Sequence, residues 1–301
     1  MCEEPGLGGA SAPRLGWWRR LVGAFGAVGR TSGYPTSGNR ASSMHLFWDL
    51  PGRFVEVSVT VTILDEPQTD DLYFWALQVG FEDAATGRRE GAAHTGPQWA
   101  AQHPGHGAVN WGGYGADGEL GGGPGFLPSA SGNANSVDYP WLVGVPYRLT
   151  VSRAPSDGAH PATARARGGV APPGYAAWRS TITPLAASPG DPFPQPQASQ
   201  TIRDLWAPGD RLVSPMVWSE VFARCDAAPV RVSWSEPVGI DEAGVVHRCG
   251  AGTVNYQTAH DGGCSNTNAT ARFGELGPEW MQETATERTT PQGTRLALDP
   301  R

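Results

Sequence analysis

The sequence predicts an all-β protein: a two-sheet antiparallel sandwich, jelly-roll or concanavalin-like, with long Gly- and Pro-rich loops. Three observations carry that expectation. Residues 53–64, RFVEVSVTVTIL, alternate Val55, Val57, Val59, Val61 and Ile63 with Glu56, Ser58, Thr60 and Thr62, which is the period of a strand buried on one face. Further short segments of β-branched and aromatic residues recur between breaks supplied by 41 Gly and 27 Pro. Between Met44 and Leu276 no stretch keeps a 3.6-residue apolar period beyond a turn or two, so helices are not interleaved with the strands.

The elements follow in order. Segment 71–83, DLYFWALQVGFED, is almost continuously apolar and reads as a strand covered on both faces, with the 53–64 strand as its expected neighbour. Segments 106–114, 145–153, 175–185, 211–222, 229–238, 252–259 and 269–276 each show period-two alternation or a short apolar run. The intervening stretches 84–105, 115–140, 154–174 and 186–200 read as long connections. Within the last, SPGDPFPQPQ (188–197) has too many prolines to pair inside a sheet. Eight or more strands without helices favour a sandwich, and the absence of a repeat argues against a propeller.

The expected organisation is one domain from 44 to 276. Residues 1–43 read as a disordered tail or as an extension upstream of a start at Met44, and 277–301 as a flexible polar tail. Trp17-Trp18-Arg19-Arg20 before LVGAFGAVG faintly resembles an export signal, but the apolar run is short and no Ala-x-Ala cleavage site follows. The expectation is therefore a cytoplasmic protein, with secretion as the alternative. All 22 basic residues of the Lys/Arg class are Arg, a bias that points to a GC-rich bacterial genome. The net charge of −7 and the scattered arginines disfavour a nucleic-acid surface. No apolar run is long enough for a membrane helix. Of Cys2, Cys225, Cys249 and Cys264, the pairs Cys225–Cys264 and Cys249–Cys264 are the candidate disulfides, and a fully reduced state is equally allowed.

The ordered set LYFWALQVGF, GAAHTGPQW, AVNWGGY, YPWLVGVPYRLTVSR, AAWRSTIT, MVWSEVFARC and CSNTN resembles an uncharacterised actinobacterial family of lectin-like β-sandwich domains, over roughly residues 44–270. In that family an aromatic strand leads through a Gly-rich segment ending in Gln to a strand with a Trp. Here Thr95-Gly96-Pro97-Gln98 occupies the middle segment, and Pro97 departs from the pattern. The resemblance implies a sandwich and, by analogy of fold, carbohydrate as a ligand.

The candidate site begins at AVNWGGYGADGEL, 108–120. Trp111 shares strand parity with Val109 and is expected in the core, which leaves Tyr114 as the ring available to a ligand. Asn110 and Asp117 are the companion hydrogen-bonding groups, with Glu119 beside them. Trp99 and Trp141, near Tyr139, lie in or beside loops and complete the proposed ligand set; capping the open end of the sandwich is their alternative role. For catalysis, Glu82, Asp83, Glu220 and Glu236 sit at strand ends, and Glu220 stands out because it shares a face with Trp218 and Phe222. A nucleophilic Cys264 with His260 is outweighed by a structural role for the cysteine. His94, His103 and His106 fall close together, but HPGH fixes no helical face and no carboxylate partner is placed, so no metal and no cofactor are expected. The glycines at 121–125 lack the strand–turn–helix setting of a phosphate cradle. The resulting expectation is a binding module for a glycan or other polar molecule. The alternatives are a glycoside hydrolase or lyase using Glu220, and an interaction domain without a small ligand. Oligomeric state is open.

Overall fold

The computed structural model describes residues 29–122, 126–155, 175–185 and 198–298. Among them are the strands β1 (Ser42–Trp48), β2 (Glu56–Ile63), β3 (Tyr73–Glu82), β4 (Arg89–Trp99), β5 (Gly107–Gly115), β6 (Gly118–Glu119), β7 (Ser136–Asp138), β8 (Pro146–Arg153) and β9 (Tyr175–Pro184). They continue with β10 (Gln200–Pro208), β11 (Arg211–Val221), β12 (Arg231–Ile240), β13 (Val246–Arg248), β14 (Ala251–Tyr256), β15 (Asn268–Gly274), β16 (Gly277–Glu283) and β17 (Arg295–Ala297). The larger sheet runs β17-β14-β1-β11-β3-β4-β5-β6 with β7 beside β5; the smaller runs β10-β9-β8-β2-β12-β16-β15 with β13 beside β12. All strand pairs are antiparallel, so the protein is a two-sheet antiparallel β-sandwich.

The alternation in the sequence explains the layers. Val57, Val59, Val61 and Ile63 of β2 point inward and are buried against Trp75, Leu77, Val79 and Phe81 of β3 in one continuous core. Trp75, Trp111, Trp178, Trp234 and Trp280 are fully buried within it. Indole nitrogens find carbonyls there: Trp111 Nε1 donates to the Trp178 oxygen at 3.3 Å, and Trp280 Nε1 to the Leu296 oxygen at 3.1 Å.

Several expectations are corrected. β2 and β3 are not neighbours: β2 pairs with β8 and β12, whereas β3 pairs with β11 and β4. They face each other across the core instead, each supplying one layer. The connection expected at 84–105 contains the eleven-residue β4, with Pro97 inside it opposite Val109. The tail expected from 277 contains β16 and β17, each paired into a sheet. The N-terminal extension is packed from residue 29 to 43: Ser265 N donates to the Arg30 oxygen, Cys225 N to the Gly33 oxygen and Thr36 N to the Gly262 oxygen. Residues 1–28, and most of the expected connections 154–174 and 186–200, lie outside the described residues. Of the two disulfide pairings, Cys225–Cys264 is formed and Cys249 is a buried free thiol. Among the described residues no helix is long and apolar enough to cross a membrane.

Candidate binding face on the larger sheet

Strand parity that sends Val217, Ser219 and Val221 of β11 inward sends Met216, Trp218 and Glu220 to the solvent side of the larger sheet. Register then sets three rows across the face. One row is Ser43, Glu220, Phe74, Gln98 and Ala108, from β1 to β5. The next holds His45, Trp218 and Ala76, then Gly96, Asn110 and Ser136. The third holds Phe47, Met216, Gln78, His94 and Gly112.

The middle of this face is a small aromatic cluster. The Phe74 and Trp218 rings meet edge to face at 4.8 Å, and the His94 ring lies 5.5 Å from each. Covered in this way, Trp218 is only 5% exposed and Ala76 beneath it is fully buried, although both point away from the core. Trp218 Nε1 donates to Gln78 Oε1 at 3.0 Å. Gly96 is required in the floor: a Cβ there would sit 1.9 Å from the Trp75 oxygen. Beside it, Asn110 Nδ2 donates to Ser136 Oγ at 3.1 Å, and that hydroxyl donates to Gln98 Oε1 at 2.7 Å. Asn110 Oδ1 and His45 Nδ1 are buried without a hydrogen-bond partner.

Electrostatically the face is nearly neutral. Between β1 and β5 the only formally charged group in these rows is Glu220, and desolvation raises its carboxyl above the ordinary range against donated bonds from Asn39 Nδ2 at 2.9 Å and Ser43 Oγ at 3.3 Å. Burial lowers the His94 imidazole to about 4 and also lowers His45, so both rings are neutral at pH 7. The outer face of the smaller sheet is the opposite case. It carries Arg179 paired with Asp204, Arg231 with Asp65, and Arg272 with Glu279.

The residues singled out in the sequence divide between these surroundings. Asn110 and Tyr114 share the outer face of β5, four residues or about 14 Å apart, with Tyr114 54% exposed. Asp117 lies at the exposed β5–β6 turn and borders a shallow cleft of about 220 Å³ with Glu119, Tyr175 and Trp206. Trp99 and Trp141 are buried at the end of the sandwich, 6.1 Å apart. Their nitrogens donate to the Thr69 oxygen at 2.7 Å and the Gln98 oxygen at 2.8 Å, and His106 stacks on Trp99 at 4.4 Å. They close the end of the core, and their rings are not brought together with Tyr114 and Asn110. Trp111 is in the core, as its parity requires.

The candidate acids do not converge. Glu82 is held by Arg89 and Arg53, whose bonds outweigh burial and lower its carboxyl, and Asp83 caps its own turn through Ala85 N and Thr86 N. Glu236 belongs to the smaller sheet, facing Arg148. Asp138 lies in the Glu220 row but four strands away, about 19 Å at 4.8 Å per strand. The three histidines also separate: His103 is paired with Asp138 at 2.6 Å, His106 with Asp70 at 3.0 Å, and His94 stays on the outer face. Among the described residues no three His, Cys, Asp or Glu side chains form a group able to hold a metal.

Sequence reading missed His45, Phe74, Gln78, Gln98 and Trp218 as members of one face. The signal is present in Trp218 and Glu220 two apart, but β4 carries no β-branched run, so its His94 and Gln98 read as part of a connection.

No family profile matches the sequence, and no curated protein matches it. Among solved structures, the chain is similar to scytalido-glutamic peptidase with a peptide-based transition-state analogue, at 8% identity and TM-score 0.39, covering 82% of this chain and 98% of that one. It is also similar to SCP-B, a member of the eqolisin family of peptidases, in complex with the tripeptide Ala-Ile-His. That match has 9% identity, TM-score 0.37 and coverage of 82% of this chain and 98% of that one. Similarity at this level assigns neither activity nor site to the present chain.

Proposed function

We propose that the protein is a non-enzymatic binding module that holds an uncharged, hydroxyl-rich ligand, a glycan, on the outer face of its larger sheet. One observation carries this reading. A solvent-side sheet face is normally polar and charged, yet the part of this one between β1 and β5 presents amides, neutral imidazoles and rings, with Glu220 the one carboxylate in its three rows. A charged ligand would lose hydration there without gaining a counter-charge. Sugar hydroxyls both donate and accept, and the Gln78 amide with the His45 and His94 imidazoles offers both functions at a surface whose apolar parts suit C–H groups. The raised Glu220 carboxyl favours a second reading, acid-catalysed glycoside cleavage. Against it, Asp138 lies at about 19 Å, beyond the ~5–10 Å at which paired carboxyl groups flank a glycosidic bond. The Cys225–Cys264 bond favours an oxidising compartment outside the cytoplasm.

The test is a glycan panel titrated against the full chain, with tryptophan fluorescence and calorimetry as readouts. A saturable signal that weakens at least about tenfold in His94→Ala and Gln78→Ala, both still folded by circular dichroism, supports the reading. Release of reducing ends during the titration moves the assignment to hydrolysis. Folded protein that binds no member of the panel overturns it.

A further inference from the structure

We propose that the ligand is a linear oligosaccharide lying along strands β1 and β11, with its ends seated in two clefts beyond the aromatic cluster. This rests on the glycan reading of the face and adds the ligand's shape and direction. The outward side chains of the two strands form one unbroken track. Ser43 Oγ donates to Glu220 at 3.3 Å, His45 lies 6.4 Å from Trp218, and Phe47 stacks on His45 at 5.9 Å with an interplanar angle of 15°.

A cleft opens at each end of this track. Past Glu220, a cleft of about 600 Å³ is lined by Tyr34, Arg40, Asp71 and Phe222. Past Met216, a cleft of about 480 Å³ is lined by Phe47, Pro51, Arg89 and Pro215. The second is made by an irregularity in β11, where the register shifts between Val213 and Met216 and Ser214 takes a left-handed φ of 49°. Such a conformation is strained for a residue with a Cβ, and it swings Ser214 and Pro215 out of the ladder to form a wall.

From Phe222 to Pro215 the track spans seven residues, about 24 Å at 3.4 Å per residue. One sugar ring does not bridge that distance; a chain of several does. The direction across the strands offers less. There Asn110 Nδ2 and Gln98 Oε1 are already engaged through Ser136. Along the strands, Phe47 is 41% exposed at the lip of its cleft and free to carry a ring.

The experiment measures affinity as a function of chain length, using one to six units of β-1,4-glucan, β-1,4-linked N-acetylglucosamine and α-1,4-glucan. The expected result is an affinity that rises at least about tenfold from monomer to tetramer in one series and then levels. Phe47→Ala and Phe222→Ala, checked for unchanged melting temperature, should each reduce the ratio of hexamer to monomer affinity. Saturable binding independent of chain length overturns the proposal and leaves the glycan reading standing. Failure of every series to bind folded protein overturns both, as does binding of an uncharged extended peptide in their place.

Discussion

Ser219 Oγ donates to Gln282 Oε1 at 2.7 Å across the core, joining the larger sheet to the smaller one through a fully buried amide. The same Gln282 oxygen accepts Trp234 Nε1 at 2.9 Å, and its nitrogen donates to the Met44 oxygen at 2.9 Å. Every polar atom of this side chain is satisfied, so it fastens β1, β11, β12 and β16 at one point.

Gln282→Leu keeps the volume and removes three bonds, leaving Trp234 Nε1 and Ser219 Oγ buried without partners. The expected cost is about 3 kcal/mol, from unsatisfied groups at roughly 1–3 kcal/mol each. Urea unfolding measures it; a loss below about 1 kcal/mol would show that the amide is not a fastening point.

Glu220→Gln tests the raised carboxyl. A carboxyl whose folded value lies above its unfolded value makes the protein lose stability as pH rises from the unfolded value through the folded one. The amide retains an oxygen for Asn39 and Ser43 and never ionises. The variant should match or exceed the native melting temperature at pH 7 and lie closer to it at pH 4. A lower melting temperature at pH 7 would contradict this account.

His94 carries the opposite slope. Its imidazole is held near 4 against an ordinary 6.5, so stability is complete above pH 6.5 and declines as pH falls through that interval. The full loss is about 3 kcal/mol at 1.36 kcal/mol per pH unit. Chemical denaturation at pH 4 and pH 7 of the native protein and His94→Gln checks it; the variant should lack most of the decline.

Cys249 should be inert in the folded protein. Burial pushes its thiol up to about 11, and the sulfur donates to the Ala251 oxygen at 3.0 Å. In a Cys2→Ser variant, iodoacetamide at pH 8 is expected to leave Cys249 unmodified until denaturant is added, and then to add one label with the Cys225–Cys264 bond intact. Rapid labelling of native protein, read by mass spectrometry, would be the contrary result.

What the sequence disclosed depended on how each strand earns its place. β2 was legible because Val and Ile alternate with Thr and Ser, a pattern that burial on one face dictates. β4, with its Gly, Ala and Pro, has little intrinsic strand preference; it is held by β3 on one side and β5 on the other, contacts distant in the chain. β10 lies outside the segments expected as strands: Arg203 and Asp204 interrupt its apolar pattern, yet both are buried, Asp204 by a two-pronged bond from Arg179 at 2.8 and 2.9 Å. β16 falls in the polar segment expected as a tail, because a Gln inside a core, as Gln282 is, becomes explicable only through partners distant in the chain. At the site, parity alone separated Trp111 from Tyr114. The grouping of Trp218, Phe74 and His94 came from register among three strands, which no local pattern encodes.

The Trp218 indole beside a titratable imidazole makes the face its own optical gauge. An imidazolium quenches a neighbouring excited indole more strongly than the neutral ring does. Protonating His94 should therefore dim one emitter near pH 4, while the fully enclosed Trp75, Trp111, Trp178, Trp234 and Trp280 keep their yield. A ligand that seals the face would shift that dimming to lower pH, so occupancy can be read without a label, from the acid limb of an emission curve.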